Sequence, residues 1–272
     1  MRVLLTVSVA ITLLVSAGFL PAQTGEEAPV ELLVAGQVSE TSSLEIGELF
    51  IAANAAYDRG DYGVAIRDYR EILERVGSHG RLRFNLGNAY LRNGELGRAI
   101  AQFRRSRSLQ PRDEDTRANL AFARGSTKDA IGPPEPSPVL STVLFWHYRL
   151  SRAELAALAV ILSILFWSVA ALRLYRRDSE IAGWILMGLL LILLGTLGSL
   201  AGHRFLTPTI AVIVPQEIDA FTAPDTDSVV RFKLHAGTEL RVRDEREGWL
   251  RIILPDDQQG WIEAVWADII DG

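Results

Sequence analysis

Three kinds of hydrophobic patterning follow one another along the chain. From about Leu49 to Arg124 the sequence reads as helical and repeats itself. Two runs then lose their polar face: Leu155 to Leu172 meets no charge until Arg173, and Ile181 to Gly202 contains none. A helix needs about 20 apolar residues to cross a bilayer core, so each run predicts a spanning helix. From Ile210 to Ile270 the period drops to two. Val230, Phe232 and Leu234, then Leu240 and Val242, then Leu250, Ile252 and Leu254 alternate with other residues, which predicts short strands. A further apolar stretch, Val3 to Leu20 after Arg2, with small Ala17 and Ala22, predicts an export signal over 1–22. Cleavage is expected, with an uncleaved anchor as the alternative.

The two long runs are separated by eight residues, among them Arg173, Arg176 and Arg177. Short basic loops stay on the cytoplasmic side, so the turn is expected inside and both flanking regions outside. Arg149 and Arg152 before the hairpin and Arg204 after it reduce the charge contrast. Ser151 and Glu154 form a capping box for the first spanning helix. Phe145, Trp146 and Tyr148 just before it are residue types of the water–lipid boundary. Gly195, Gly198, Ser199 and Gly202 give the second helix a small-residue face. That face is expected to pack on the first helix, with dimerisation or docking on another membrane protein as alternatives. Pro133, Pro134, Pro136 and Pro138 make the preceding linker semi-extended.

In the helical region, Tyr62, Ala65 and Tyr69 lie 34 positions before Leu96, Ala99 and Phe103. Gly60 and Gly94 share that offset, as do Asn54 with Asn88 and Asn85 with Asn119. A helix-turn-helix unit of this length is the tetratricopeptide period. The second unit carries the pattern of that family almost in full: Leu86, Gly87, Tyr90, Gly94, Ala99, Phe103 and Pro111. Small Gly87 and Ala99 let the paired helices approach, Tyr90 and Phe103 fill the space between them, and Pro111 ends the second helix. The first unit has Ala53 at the Gly87 position and Gly77 where the proline would be. Asp115 to Arg124 reads as a capping helix. Two repeats and a cap are near the lower limit for stability, which implies support from a partner or the membrane.

The tetratricopeptide resemblance implies a ligand groove at Asn54 in the first unit, Phe84, Asn85, Asn88 and Arg92 in the second, and Asn119 in the cap. In the family's carboxylate-clamp version, two asparagines accompany basic residues that hold a peptide C-terminus. Asn54 and Asn85 match the asparagines, but Phe50, Asp115 and Asn119 stand at the basic positions, so the clamp is broken. An extended internal peptide is the expected ligand, because an amide donates and accepts at once, as a peptide unit requires. The competing reading is that these asparagines cap turns or bond neighbouring helices.

In the C-terminal region the alternation is punctuated by Gly237, Gly248 and Gly260. The steps Gly248-Trp249 and Gly260-Trp261, with Pro255-Asp256 between them, resemble a bacterial SH3 (SH3b) domain, a small antiparallel barrel. Asp257 stands where that family has a glycine and tolerates a left-handed turn less well. Trp249 and Trp261 are expected in the core. Trp266 is the candidate for an exposed contact.

Composition removes several functions. A net charge of −5 argues against nucleic acid as the partner. Cysteine is absent, which excludes disulfides, thiol nucleophiles and cysteine metal sites. His79, His147, His203 and His235 are scattered without ligand spacing, and no phosphate loop or serine-nucleophile elbow occurs. Glu245, Glu247, Asp256 and Asp257 read as solvated turns. No catalytic residue, metal or cofactor is expected, and the chain reads as non-enzymatic.

The segment Asn85-Leu86-Gly87-Asn88-Ala89-Tyr90, followed by Gly94, Gly97, Ala99-Ile100, Pro111 and Asn119-Leu120, resembles the E component (BatE) of the bacterial aerotolerance operon. The resemblance covers most of the chain. It implies a periplasmic or extracytoplasmic scaffold on the bacterial inner membrane. The implied partners are von Willebrand factor A-domain membrane proteins and a MoxR-type AAA+ ATPase. The expected architecture is a multidomain membrane protein. A polar lead-in at 23–47 precedes all-α repeats over 48–126, followed by a linker and interfacial segment at 127–150. Spanning helices occupy 151–175 and 181–202 around a turn at 176–180, and an all-β SH3-like barrel covers 208–270. A cell-wall sensor or anchor, with the barrel on peptidoglycan, is the alternative function.

Overall fold

A computed structural model describes the backbone of residues 29–129, 144–175, 180–205, 209–254 and 257–270. Side chains are described over 44–129, 144–175, 180–202, 209–254 and 257–270. The export signal, the proline linker, most of the arginine turn and Pro255-Asp256 lie outside these residues.

Eight helices are described: α1 (Pro29–Asp58), α2 (Tyr62–Val76), α3 (Gly80–Arg92), α4 (Leu96–Leu109), α5 (Glu114–Gly125), α6 (Phe145–Arg149), α7 (Arg152–Tyr175) and α8 (Glu180–Phe205). The polar lead-in at 23–47 is helical from Pro29 onward. Proline is preorganised for the first helical position, and the Val30–Ala35 stretch that follows it contains no breaker.

The repeat period is visible in the backbone. Gly60 and Gly94 adopt φ of 84° and 82°. The turns they make close with equivalent bonds, Asp61 N–H to Ala56 O and Glu95 N–H to Tyr90 O, both 2.9 Å. A Cβ at Gly87 would sit 2.7 Å from the Phe103 ring, so only glycine allows α3 and α4 this approach. In the first unit Ala53 and Tyr69 occupy the corresponding positions, both fully buried. Phe50 meets Tyr69 at 6.3 Å between ring centres, as Phe84 meets Phe103 at 6.0 Å. The capping helix α5 begins at Asp113, whose carboxylate accepts the Thr116 N–H at 2.9 Å.

Seven strands are described in the C-terminal region: β1 (Ile210–Ile213), β2 (Glu217–Phe221), β3 (Val230–His235), β4 (Glu239–Arg246), β5 (Trp249–Ile253), β6 (Gln259–Glu263) and β7 (Ala267–Ile270). They pair in the antiparallel order β3-β2-β6-β5-β4-β1-β7. The ends β3 and β7 do not pair in this order, so the sheet is open and the expected closed barrel is not formed. Instead β1 and β7 lie against α4. Glu247 and Gly248 turn β4 into β5 with φ of 48° and 84°, a conformation suited to a tight hairpin. Asp257 has a left-handed φ of 64°, so the residue in the glycine's place does take that conformation.

Helices and sheet share a core. Ala211 and Ile213 point into the sheet's own cluster, while Val212 and Ile270 belong to the helical one. Support for the short repeat array therefore comes from strands of the same chain. Burying an aliphatic side chain of this size stabilises by about 1.5–3 kcal/mol, so two of them outweigh any surface ion pair.

By contact the chain divides into two compact units: Ile46–Ala157 with Thr196–Gly272, and Leu158–Gly195 with the N-terminal segment. The second contains most of α7 and α8, both long and apolar enough to cross a membrane. Their apolar side chains are exposed, including Ile164 (61 %), Trp184 (70 %) and Leu191 (63 %). A core helix of a soluble protein would bury such residues. At the start of α7 the capping box is present: Ser151 N–H donates to Glu154 Oε2 at 2.9 Å, and Glu154 N–H donates to Ser151 Oγ at 3.2 Å. On the small-residue face of α8, Ser199 Oγ lies 2.8 Å from His147 Nδ1 of α6, and a Cβ at Gly202 would meet the same ring. A Cβ at Gly198 would meet nothing within 4 Å, so that glycine is not a close-packing position.

Candidate functional site

Repetition brings the asparagines together. α1 and α3 occupy the same place in successive units, so Asn54, Asn85 and Asn88 converge on one cleft of about 290 Å³. Tyr57, Asp58 and Tyr69 complete its lining. Tyr69 is the counterpart of Phe103 and packs as a core aromatic, but its hydroxyl reaches the cleft and donates to Asn54 Oδ1 at 2.6 Å. Burial, then the charge of Asp58 and the neighbouring Tyr57, pushes the Tyr69 phenol up to about 12, with the Asn85 amide acting in the opposite sense. Tyr69 is therefore a neutral donor at physiological pH. Asn119 Nδ2 donates to Asn88 Oδ1 at 2.7 Å.

The remaining predicted positions separate. Asn119 buttresses Asn88 from α5 without lining the cleft. Phe84 is half-buried and packed against the helical core through Phe103. Arg92 is exposed in the last turn of α3. Trp266 is half-buried in a 3₁₀ turn against the sheet core. Trp249 and Trp261 lie off that core cluster: Trp249 meets Phe221 edge-on at 5.7 Å, and Arg246 lies 5.9 Å from the centre of the Trp261 ring.

Tyr57, Asp58 and Tyr69 are the cleft residues the sequence reading missed. The available signal was the replacement of Phe103 by Tyr69 one repeat earlier. A hydroxyl added to a core aromatic needs a polar partner when buried.

A second polar centre joins α4 and α5 to the sheet. Glu239 is 4 % exposed and accepts from both Arg104 and Arg124, the latter at 2.6 and 3.1 Å. Burial lowers the pKa of Arg104, and the Glu239 charge acts against that shift. Arg105 pairs with the Asp268 carboxylate through both terminal nitrogens and also donates to the Ile269 carbonyl at 2.7 Å. Beyond α5, Asp129 accepts from the His235 backbone N–H at 2.8 Å, from His235 Nδ1 at 2.6 Å and from Thr238 Oγ1. These groups satisfy one another, which marks the region as structural.

The chain matches the tetratricopeptide repeat family over residues 52–114. That stretch runs from the end of α1 through α4 and contains Asn54, Asn85 and Asn88. No curated protein matches the chain. Tetratricopeptide repeats are protein-interaction modules, so the matched helices point to a protein-binding role.

Proposed function

We propose that this chain is a non-enzymatic membrane-anchored scaffold whose extracytoplasmic repeat cleft binds an extended peptide segment of a partner protein. The observation that carries the reading is the convergence of Asn54, Asn85 and Asn88 on one cleft within the tetratricopeptide match. Side-chain amides on successive helices offer a peptide backbone donors and acceptors at fixed spacing. The helices over 151–175 and 181–202 anchor the chain in the bilayer, and their arginine-bearing turn faces the cytoplasm. The Bat-type resemblance gives the setting: a stress-tolerance complex with von Willebrand factor A-domain membrane proteins and a MoxR-type ATPase. The SH3-like region over 208–270 serves here to brace the repeats.

Crosslinking in native membranes tests this. Capture of von Willebrand factor A-domain proteins should fall when Asn85 and Asn88 are replaced together by alanine. Undiminished capture by a variant with native thermal stability rejects the cleft as the binding site. Reporters placed in the repeats and after Gly272 should both read as extracytoplasmic. Opposite sides would remove the hairpin from the scheme.

One observation favours a second reading, attachment to the cell wall. Trp249 and Trp261, both partly exposed, lie with Arg246 on the sheet around the buried Phe221, a surface able to stack on sugars. Wall sacculi that retain the full chain but release a Trp261→Ala variant would support it. Equal retention of both would not.

A further inference from the structure

We infer that the asparagine cleft selects a cationic side chain, a lysine or arginine within an extended segment of a partner protein, and holds its charge at Asp58. This rests on the peptide reading above and narrows it. Asp58 is the last residue of α1, a 30-residue helix with no basic residue in its final turn. Carbonyl groups at a helix C-terminus carry partial negative charge, so the carboxylate adds to an unfavourable field that no cation offsets from within the helix. The adjacent Arg59 is engaged by Asp61 at 3.1 Å. Among the described residues Asp58 has neither an ion pair nor a side-chain hydrogen bond. Among the described residues no basic side chain lines the cleft, and its other walls are phenols and amides.

The negative field reaches the cleft floor, because Asp58 is one of the charges that raise the Tyr69 phenol. A peptide C-terminal carboxylate would be repelled there, in keeping with the broken clamp at Phe50, Asp115 and Asn119. Half-buried Tyr57 lines the cleft next to the carboxylate, and an aromatic ring there favours a cation that is partly desolvated. At about 290 Å³ the cleft lies at the lower limit of ligand sites, usually about 300–1,000 Å³, and suits one long side chain better than a drug-sized molecule.

The test uses the full chain in detergent micelles and an array of acetylated, amidated pentapeptides. Central positions are lysine, arginine, norleucine or glutamate, with randomised flanks. Lysine and arginine sets should bind about tenfold more tightly than norleucine, as a charge-assisted bond implies. Asp58→Asn should level that preference, Asp58→Glu should retain it, and Asn85→Ala should weaken every set. Equal binding of lysine and norleucine sets, both sensitive to Asn85→Ala, would overturn the cationic selection and leave the peptide reading standing. Failure of every set to bind would overturn both. A lysine preference that survives Asp58→Asn also overturns the assignment to Asp58. Displacement of the lysine set by equimolar spermidine would reassign the site to free polyamines.

Discussion

Where α4 and α5 meet the sheet, Glu239 and Asp268 each face arginine, and the carboxylate of Glu239 is almost wholly withdrawn from water. In the cleft lined from α1, α2 and α3, Asn54 and Asn88 accept bonds from neighbours, while among the described residues Asp58 is in no ion pair. The second repeat contributes to both patches, through α4 to the first and through α3 to the second. The first is closed electrostatically and sterically, and a ligand entering it would have to displace a matched ion. The second is half-open, with its unbalanced charge at the rim. Binding capacity therefore lies where the polar groups remain unbalanced, and the contrast predicts opposite responses to substitution.

The largest response is expected at Glu239. Glu239→Ala leaves Arg104 and Arg124 facing each other in a buried site, and removing one partner of a buried ion pair costs about 3–5 kcal/mol. Hydrogen exchange of α4, α5 and β4 amides in micelles should speed up accordingly. Unchanged exchange would mean that the arginines are held by something other than this carboxylate.

Gly97 probes the same junction sterically. A Cβ there would lie 2.1 Å from the Ile213 carbonyl oxygen, and neither backbone can yield without separating the layers. Gly97→Ala should cost about 1–3 kcal/mol, as overpacking does, with faster exchange in β1 and α4. A neutral alanine would show that the two layers can slide apart without loss.

Acid should loosen the junction at Asp129. Burial alone would raise this carboxyl, but the bonds from Thr238, from the His235 backbone and from its ring outweigh that and hold it below the usual carboxylate range. A depressed folded-state pKa stabilises the protein above the unfolded value of about 3.9 and loses that contribution as pH falls through the folded value. Opening of the Asp129–His235 contact should therefore increase below about pH 4. Asp129→Asn should remove that acid dependence, and a persisting acid limb would place its origin in another carboxylate.

How much of this could be read from residues alone follows from how local each signal is. The offset of 34, the Gly87–Phe103 approach and the Ser151–Glu154 box depend on neighbours within one unit or one turn. Asn54, Asn85 and Asn88 could be grouped for the same reason. Asp58 could not, because an acid before a turn glycine reads as a solvated end. The Arg104–Glu239 pair spans 135 positions, and neither residue alone announces the other. Alternation revealed strands but not which would be edges, so the open sheet was not legible. One clue to docking was present. Ile210–Ile213 is an unbroken apolar run among alternating strands, as expected of a strand covered on both faces.

The smallest stability effect and the most selective functional one should coincide at Asn88. Its side chain accepts a bond from Asn119, but both residues are partly open to water. In Asn88→Ala solvent can take over the Asn119 donor, so stability should change by about 0.5 kcal/mol or less, as for ordinary surface substitutions. Binding of a peptide in the cleft should nevertheless weaken, because the peptide excludes that solvent and leaves a donor or acceptor unmet. Comparing hydrogen exchange of α3 with peptide affinity separates the two effects. A loss of stability matching the loss of affinity would make Asn88 a structural residue like Glu239, and the distinction between the closed and the open patch would fail at its central position.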